Sequence, residues 1–178
     1  MDNKEILLHT CCGPCGTVPV RRLCSDGYKV ILYFSNSNIY PEDEYKRRLF
    51  HARTLAEASA LELIEDTYEH ESWLDFVKGF ENEPEKGLRC ERCFEYNLKK
   101  TSTCSRRLGI PSFTTTLTVS RHKPSKVIFR IGEKFPGFEP MDFKKKDGFS
   151  RSIQLSRALN LYRQNYCGCE FSMRPESL

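Results

Sequence analysis

No stretch of this 178-residue sequence approaches the roughly 18 to 20 consecutive apolar residues of a membrane span, so no membrane partner is expected. Met1-Asp2-Asn3-Lys4-Glu5 leads into only three apolar residues before His9, too few for a secretory signal. The expected compartment is the cytoplasm, where reducing conditions disfavour structural disulfides. Internal repeats, low-complexity stretches and an evident linker are also missing, and the expectation is a single domain over residues 1–178. At 39% hydrophobic and 12% aromatic residues the chain can bury a core without disulfide staples. No Ser-Gly-Gly run follows the first expected strand, and ATP phosphates need a cradle of that kind; its lack argues against ATP use.

What the sequence does have is cysteine. Seven of its nine sit in three clusters: Cys11-Cys12-Gly13-Pro14-Cys15, Cys90-Glu91-Arg92-Cys93 and Cys167-Gly168-Cys169. One structural zinc or one [4Fe–4S] cluster takes four thiolates, so seven exceed either need. Four plus three would serve a cluster and a neighbouring second metal. A zinc ribbon uses four thiols, and here seven are clustered. A thioredoxin-like site would need no more than one CxxC motif. Iron–sulfur ligation drawn from scattered segments fits the count best, while structural zinc and thiol chemistry stay open. Cys24 and Cys104 stand alone in apolar settings and read as core thiols. His9, His51, His70 and His122 show no ligand spacing, and His9 reads as a core histidine beside the first cluster.

Ile6–Thr10, Lys29–Phe34, Leu61–Glu65 and Phe113–Val119 read as strands. Helices are expected from Gly16 to Leu23, from a first turn containing Pro41, around Trp73–Val77, from Cys90 to Gly109, from Ser125 to Phe135, and from Ser152 to Tyr166. In the second of these, Tyr45, Leu49, Ala52 and Ala56 share a face; in the fourth, Phe94, Leu98, Thr101, Cys104 and Leu108 do. In the last, Leu155, Ala158, Leu159, Tyr162 and Tyr166 make the expected core face, with Ser156, Asn160, Arg163 and Gln164 opposite. Alternating strands and helices predict an α/β fold with a mostly parallel sheet. Ligands of such sheets bind beyond the carboxyl ends of the strands, where the first cysteine cluster falls.

The spacing also favours thiolate. Cys90 and Cys93 begin a helix at i, i+3, where the N-terminal dipole stabilises negative charge. Cys11 and Cys15 precede another helix start, with Gly13 expected to let the backbone bend and Pro14 to fix its shape. Cys167 and Cys169, flanking Gly168 past a helix end, can splay to two metals or chelate one.

Charge is divided along the chain. Residues 1–98 carry 12 Lys and Arg against 18 Asp and Glu, a net of −6; residues 99–178 carry 16 against 6, a net of +10. A basic second half suggests a polyanionic partner, nucleic acid being the usual one.

His9-Thr10-Cys11-Cys12-Gly13-Pro14-Cys15, Asn38-Ile39-Tyr40-Pro41 with Glu44-Tyr45, Arg89-Cys90-Glu91-Arg92-Cys93-Phe94 and Leu161-Tyr162-Arg163-Gln164-Asn165-Tyr166-Cys167-Gly168-Cys169 resemble the signature blocks of the QueH-type epoxyqueuosine reductases. Lys144-Lys145-Lys146-Asp147-Gly148 and Ser152-Ile153-Gln154-Leu155-Ser156 resemble further blocks, so the likeness covers nearly the whole chain. It implies an adenine-nucleotide-hydrolase-like (HUP) α/β fold, a [4Fe–4S] cluster beside a single iron ion, and an oxidoreductase. The implied reaction is cobalamin-independent reductive deoxygenation of epoxyqueuosine, at the wobble position of tRNA, to queuosine. Some members carry an aspartate where this chain has Cys15, which would give the single iron a third sulfur in place of an oxygen.

Turning an epoxide into an alkene takes two electrons, two protons and an oxygen acceptor. A [4Fe–4S] cluster passes one electron at a time, which an external one-electron donor must supply. An adjacent open-site iron gives the three surplus thiols a role. The expected division is Cys12, Cys90, Cys93 and Cys169 to the cluster, and Cys11, Cys15 and Cys167 to the single iron. Arg163 and Gln164 are expected at the modified base or its phosphate, and Tyr166 either in the core or as a proton donor. Arg121, Lys144, Lys145, Lys146 and Arg151 are the expected contacts to the tRNA backbone. The other reading is a zinc-stabilised RNA-binding module without catalysis.

Overall fold

The structure, a computed structural model, describes residues 4–173. Four strands, β1 (Lys4–His9), β2 (Tyr28–Phe34), β3 (Leu63–Glu65) and β4 (Ser112–Thr115), form one parallel sheet in the order β3-β2-β1-β4. The period of two along β1 sends Ile6 and Leu8 to one face and Leu7 to the other. Ile6 and Leu8 pack against Val20 and Leu23 of α1 (Gly13–Ser25) and Leu55 and Ala56 of α2 (Glu42–Ser59). Leu7 packs against Phe94 and Leu98 of α4 (Leu88–Leu108) and Ile128 and Ile131 of α5 (Ser125–Gly132). The sheet is thus covered on both sides, which is why β1 and β2 read as unbroken apolar runs. Each leucine so enclosed contributes about 2 kcal/mol.

The chain lays down β1, β2 and β3 in one direction, then returns to set β4 on the far side of β1. The order therefore reverses between β1 and β4, the place where open α/β sheets leave a crevice.

Several helices match their sequence signals. Glu42, Asp43 and Glu44 occupy the first turn of α2, and Tyr45, Leu49, Ala52 and Ala56 are buried. A short helix, α3, spans His70–Val77. Gly109, with a left-handed φ of 69°, ends α4. Phe94, Leu98, Thr101 and Cys104 are buried along α4, but Leu108 is exposed, because Ile110 beyond the cap fills the core instead.

Other expectations are corrected. Helix α1 starts at Gly13, so Cys15 lies inside its first turn rather than before it. Gly13 is needed for closeness and not for a left-handed bend: a Cβ there would sit 2.7 Å from the His51 carbonyl oxygen of α2. Strand β4 stops at Thr115, and residues Thr116–Val119 form a 3-10 turn because the Thr115 hydroxyl accepts the Leu117 amide at 3.1 Å. Helix α5 ends at Gly132 rather than Phe135. Cys24 is exposed rather than a core thiol.

The largest correction is the last helix. α6 spans Gly148–Ala158, and the expected stripe of Leu155, Ala158, Leu159, Tyr162 and Tyr166 does not form. Asn160 adopts φ 52°, and the Leu161 amide donates back to the Ser156 carbonyl at 2.8 Å, closing the helix just past Ala158. The buried side is Ser152 and Ser156, whose hydroxyls donate to the Phe149 and Ile153 carbonyls. Satisfied small polar residues can be buried against a close neighbour, here α1.

Candidate metal centre

All three cysteine segments reach the carboxyl end of the sheet. Cys11 and Cys12 follow β1 directly. Cys12 is the N-cap of α1, its sulfur accepting the Cys15 amide at 3.4 Å. The sulfurs of Cys11, Cys12 and Cys15 lie within 4.8 Å of one another. Cys90 and Cys93 lie in the first two turns of α4, so the positive ends of two helices face the thiols. Cys167 and Cys169 arrive on the segment after α6, which is irregular and not the expected helix.

These groups enclose a cavity of about 310 Å³ lined by Cys15, Cys90, Cys93, Cys167 and Cys169. A smaller adjoining cavity is lined by Cys11, Cys93 and Cys167. The two share Asn38, Phe94, Lys123 and Gln164. Cys12, expected with Cys90, Cys93 and Cys169, stands beside Cys11 and Cys15.

The sulfurs are met by hydrogen-bond donors. Thr116, directly after β4, accepts the Cys11 amide at 3.0 Å and donates its hydroxyl to Cys11 Sγ at 3.1 Å, bridging the β1–β4 crevice. A hydroxyl has one proton; with its oxygen taken by the amide, that proton is aimed at the sulfur. Gln164 Nε2 donates to Cys12 Sγ at 3.2 Å, and the Lys86 amide to Cys90 Sγ at 3.3 Å. At Cys169 the direction is reversed: its thiol donates to Ser172 Oγ at 3.5 Å, and the Ser172 hydroxyl donates to the Cys169 carbonyl at 2.9 Å.

Such donors gather negative charge on Cys12. The S–H groups of Cys11 and Cys15, with the Gln164 amide, hold its thiol well below the ordinary range despite burial. The bond donated to Cys12 pushes Cys11 up to about 12, and Cys15 is raised by its two neighbours. Burial raises Cys90, Cys93 and Cys169. Protonated, these thiols are poor ligands; a cation among them displaces the protons. The soft, all-sulfur donor set, two helix N-termini and ready N–H and O–H donors fit an iron–sulfur group.

The residues expected to touch substrate are placed differently from one another. Arg163 is exposed at the rim of the larger cavity, its Nη1 donating to Ser156 Oγ at 3.0 Å. Gln164 points inward at Cys12, and its Oε1 is buried without a hydrogen-bond partner among the described residues. Tyr166 is buried; its hydroxyl donates to the Tyr40 carbonyl at 2.5 Å, and burial pushes its pKa up to about 12. Those contacts describe an anchor. His9 is the satisfied core histidine expected: Nε2 faces the Ser35 carbonyl and Asn36 Oδ1, and Nδ1 the Thr115 hydroxyl.

Three residues were given no role from the sequence. Arg48, 2% exposed, pairs with Glu44 at 2.8 Å and donates to the carbonyls of Cys167 and Tyr166. The i, i+4 spacing of Glu44 and Arg48 was the available signal. Arg89 donates to the carbonyls of Glu81 and Glu83, fixing the loop that leads into Cys90. Lys123 lines both cavities and carried no signal beyond following the fourth strand.

A parallel α/β fold with thiols converging at its topological switch defines a metal–thiolate protein. The chain belongs to the epoxyqueuosine reductase QueH family, whose profile matches residues 6–175. It is 36% identical to the epoxyqueuosine reductase QueH of Streptococcus pyogenes serotype M1, over 98% of this chain and 72% of that protein. It is 34% identical to the Haemophilus influenzae protein of that name, over 98% and 74%, and 33% identical to the Thermotoga maritima one, over 94% and 90%. Among solved structures, the U34-tRNA thiolase NcsA from Methanococcus maripaludis with its [4Fe-4S] cluster superposes with a TM-score of 0.53 at 13% identity. The match covers 97% of this chain and 63% of that one, and it bears on the fold alone. The fold is the HUP-like α/β architecture that the resemblance implied. No helix among the described residues is long and apolar enough to cross a membrane.

Proposed function

We propose that this protein is an epoxyqueuosine reductase that converts epoxyqueuosine in tRNA to queuosine by two-electron deoxygenation, without cobalamin, in the cytoplasm, as one catalytic domain. The observation that carries this reading is the gathering of seven thiols from three distant segments around adjoining cavities. When bound, a [4Fe–4S] cluster and a single iron ion supply electrons from an external one-electron donor and Lewis acidity toward the epoxide oxygen.

The chain's own residues bind, orient and exclude water. The N–H and O–H donors fix the sulfurs, and the Arg48–Glu44 pair fixes the backbone of the Cys167 segment. The larger cavity admits the modified base past Arg163. Buried Gln164 Oε1 offers an acceptor there to a substrate N–H or O–H. Exposed Arg121, Lys145, Lys146 and Arg151 provide charge for the tRNA backbone. Lys144 does not join them, since its Nζ is turned to the Lys123 carbonyl and Ser125 Oγ.

Two divisions of the thiols have support. The division expected from the sequence gives Cys12, Cys90, Cys93 and Cys169 to the cluster and Cys11, Cys15 and Cys167 to the iron, and the count of four plus three suits either assignment. The closeness of Cys11, Cys12 and Cys15 favours those three for the iron and Cys90, Cys93, Cys167 and Cys169 for the cluster.

The test is anaerobic purification with iron, sulfide and zinc measured per chain, followed by assay on epoxyqueuosine tRNA. About five irons and four sulfides with queuosine formed support the proposal. One zinc and no sulfide would leave an RNA-binding module instead. Cys12→Ala separates the divisions: loss of sulfide supports the first, and retention of four sulfides with one iron fewer supports the second.

A further inference from the structure

On α2, Arg47 and His51 both meet Tyr162, on the segment that follows α6. The Arg47 guanidinium lies over the Tyr162 ring at 4.6 Å, and the His51 ring stands 6.0 Å from it, centre to centre. His51 Nδ1 accepts the Tyr162 amide at 3.3 Å, and the Phe50 ring meets the His51 ring edge-on at 5.2 Å. Phe50 is 61% exposed, the most of any large hydrophobic residue among those described. A strip of rings and cations therefore starts at Arg163, on the rim of the larger cavity, and passes through Tyr162 to Arg47, His51 and Phe50.

Arg47 is exposed and forms no ion pair among the described residues, whereas its neighbours Lys46 and Arg48 pair with Glu42 and Glu44. Asp43, one turn back, is spaced for an i, i+4 pair, yet the guanidinium lies on the tyrosine instead. Stacking on a ring covers one side of a guanidinium and leaves its N–H groups for another acceptor. One exposed phenylalanine alone would mean nothing; here it closes a strip that begins at a cavity rim. The helix neighbours of Phe50 are Lys46, Arg47, Arg53 and Thr54, so no apolar patch wide enough to seat a second copy of the chain surrounds it. An open ring beside an unpaired cation suits single-stranded RNA, whose bases stack on aromatic side chains while its phosphates take the charge. The position agrees with that chemistry. A modified base entering the cavity past Arg163 leaves its own stack, and the next nucleotide loses a neighbour where this strip begins.

We propose that Phe50 and Arg47, the latter held by Tyr162, form a stacking platform on which an unpaired nucleotide next to the modified one rests while that base occupies the cavity. Phe50 supplies the ring face, and Arg47 reaches the adjoining phosphate. The proposal deepens the tRNA reading above and rests on it. It extends the RNA contact from the basic second half of the chain to a helix of the acidic first half.

The experiment measures binding of epoxyqueuosine tRNA to the full-length, anaerobically purified protein across a salt series, with a blunt RNA duplex as the control ligand. Phe50→Ala is expected to bind the tRNA about 5- to 150-fold more weakly. Its salt slope and its binding of the duplex should stay at wild-type values, since stacking releases no counterions. Phe50→Leu should lose as much as Phe50→Ala, and Phe50→Trp should bind like wild type. Arg47→Met should lower the slope of log K against log salt by about 1. Wild-type affinity in Phe50→Ala or Phe50→Leu, or an unchanged slope in Arg47→Met, overturns the proposal. So does self-association of the wild type that Phe50→Ala abolishes while tRNA affinity holds, because the face would then join two copies of the chain. A wild type that binds the tRNA no better than the duplex would instead sink the tRNA reading, and the platform with it.

Discussion

Arg48 Nη1 donates to the Cys167 carbonyl at 2.8 Å, so a residue of α2 sets the backbone that presents a distant thiol. Its Nη2 reaches the Tyr166 carbonyl, its Nε pairs with Glu44, and its guanidinium lies over the Tyr166 ring at 5.1 Å. Tyr162 adds its hydroxyl to Glu44 at 3.2 Å. Gly168 completes the clamp: it adopts φ 144°, and a Cβ there would meet Arg48 Nη1 at 3.2 Å. Arg48→Met should lower the stability of metal-free protein by about 3 to 5 kcal/mol, because it strands a buried carboxylate. Adding Glu44→Gln should recover part of that loss in urea denaturation, while Cys167 stays more reactive than in wild type toward a thiol reagent. Full recovery of wild-type Cys167 reactivity in the double variant would show that Arg48 does not hold this segment.

Thr116→Val removes both the acceptor for the Cys11 amide and the donor to its sulfur. An unpaired buried amide costs about 1 to 3 kcal/mol, seen as a lower urea midpoint. Loss of a donor to a ligand sulfur should also move the potential of the reconstituted centre negative. Thr116→Ser, which keeps the hydroxyl, should leave the potential in place.

His9 gives the metal-free protein a pH dependence. Burial holds its pKa at about 4, below the ordinary 6.5, because the charged ring is poorly solvated there. The unfolded chain takes up this proton first, so the contribution is full above pH 6.5 and is lost as pH falls towards 4. The loss is about 3 kcal/mol. Urea denaturation from pH 7.5 to 4 should show that slope in wild type, and His9→Gln should lack it. Equal slopes would mean that His9 is protonated in the folded protein.

Binding of tRNA should weaken steeply with salt, and Arg121→Ala, Lys145→Ala and Arg151→Ala should each reduce the slope of log K against log salt by about 1. Lys144→Ala is expected to behave differently. It should leave the slope unchanged and cost about 1 kcal/mol in stability, since its Nζ holds the Lys123–Ser125 loop. A flat salt dependence for the wild type would remove the electrostatic part of the tRNA reading.

Much of this protein was determined locally and could be read from the sequence. Ile6-Leu7-Leu8 needs apolar cover on both sides, which only a central strand of a covered parallel sheet receives. The acids after Pro41 and the glycine at 109 mark helix ends through backbone charge and a left-handed φ, effects confined to a turn. The thiol clusters were legible because soft metals demand those ligands at close spacing. The last helix misled because its apolar period continues past Asn160, and a left-handed asparagine outweighed that pattern. Tertiary structure alone decided which thiols stand together, since β1, α4 and the Tyr162–Cys169 segment meet only once the sheet reverses order. It also decided which cations serve the surface and which the interior. Arg48, Lys123 and Lys144 resemble any other basic residue in sequence; what separates them is the carbonyl, cavity or solvent at the end of the side chain, and that is fixed by packing across the whole chain.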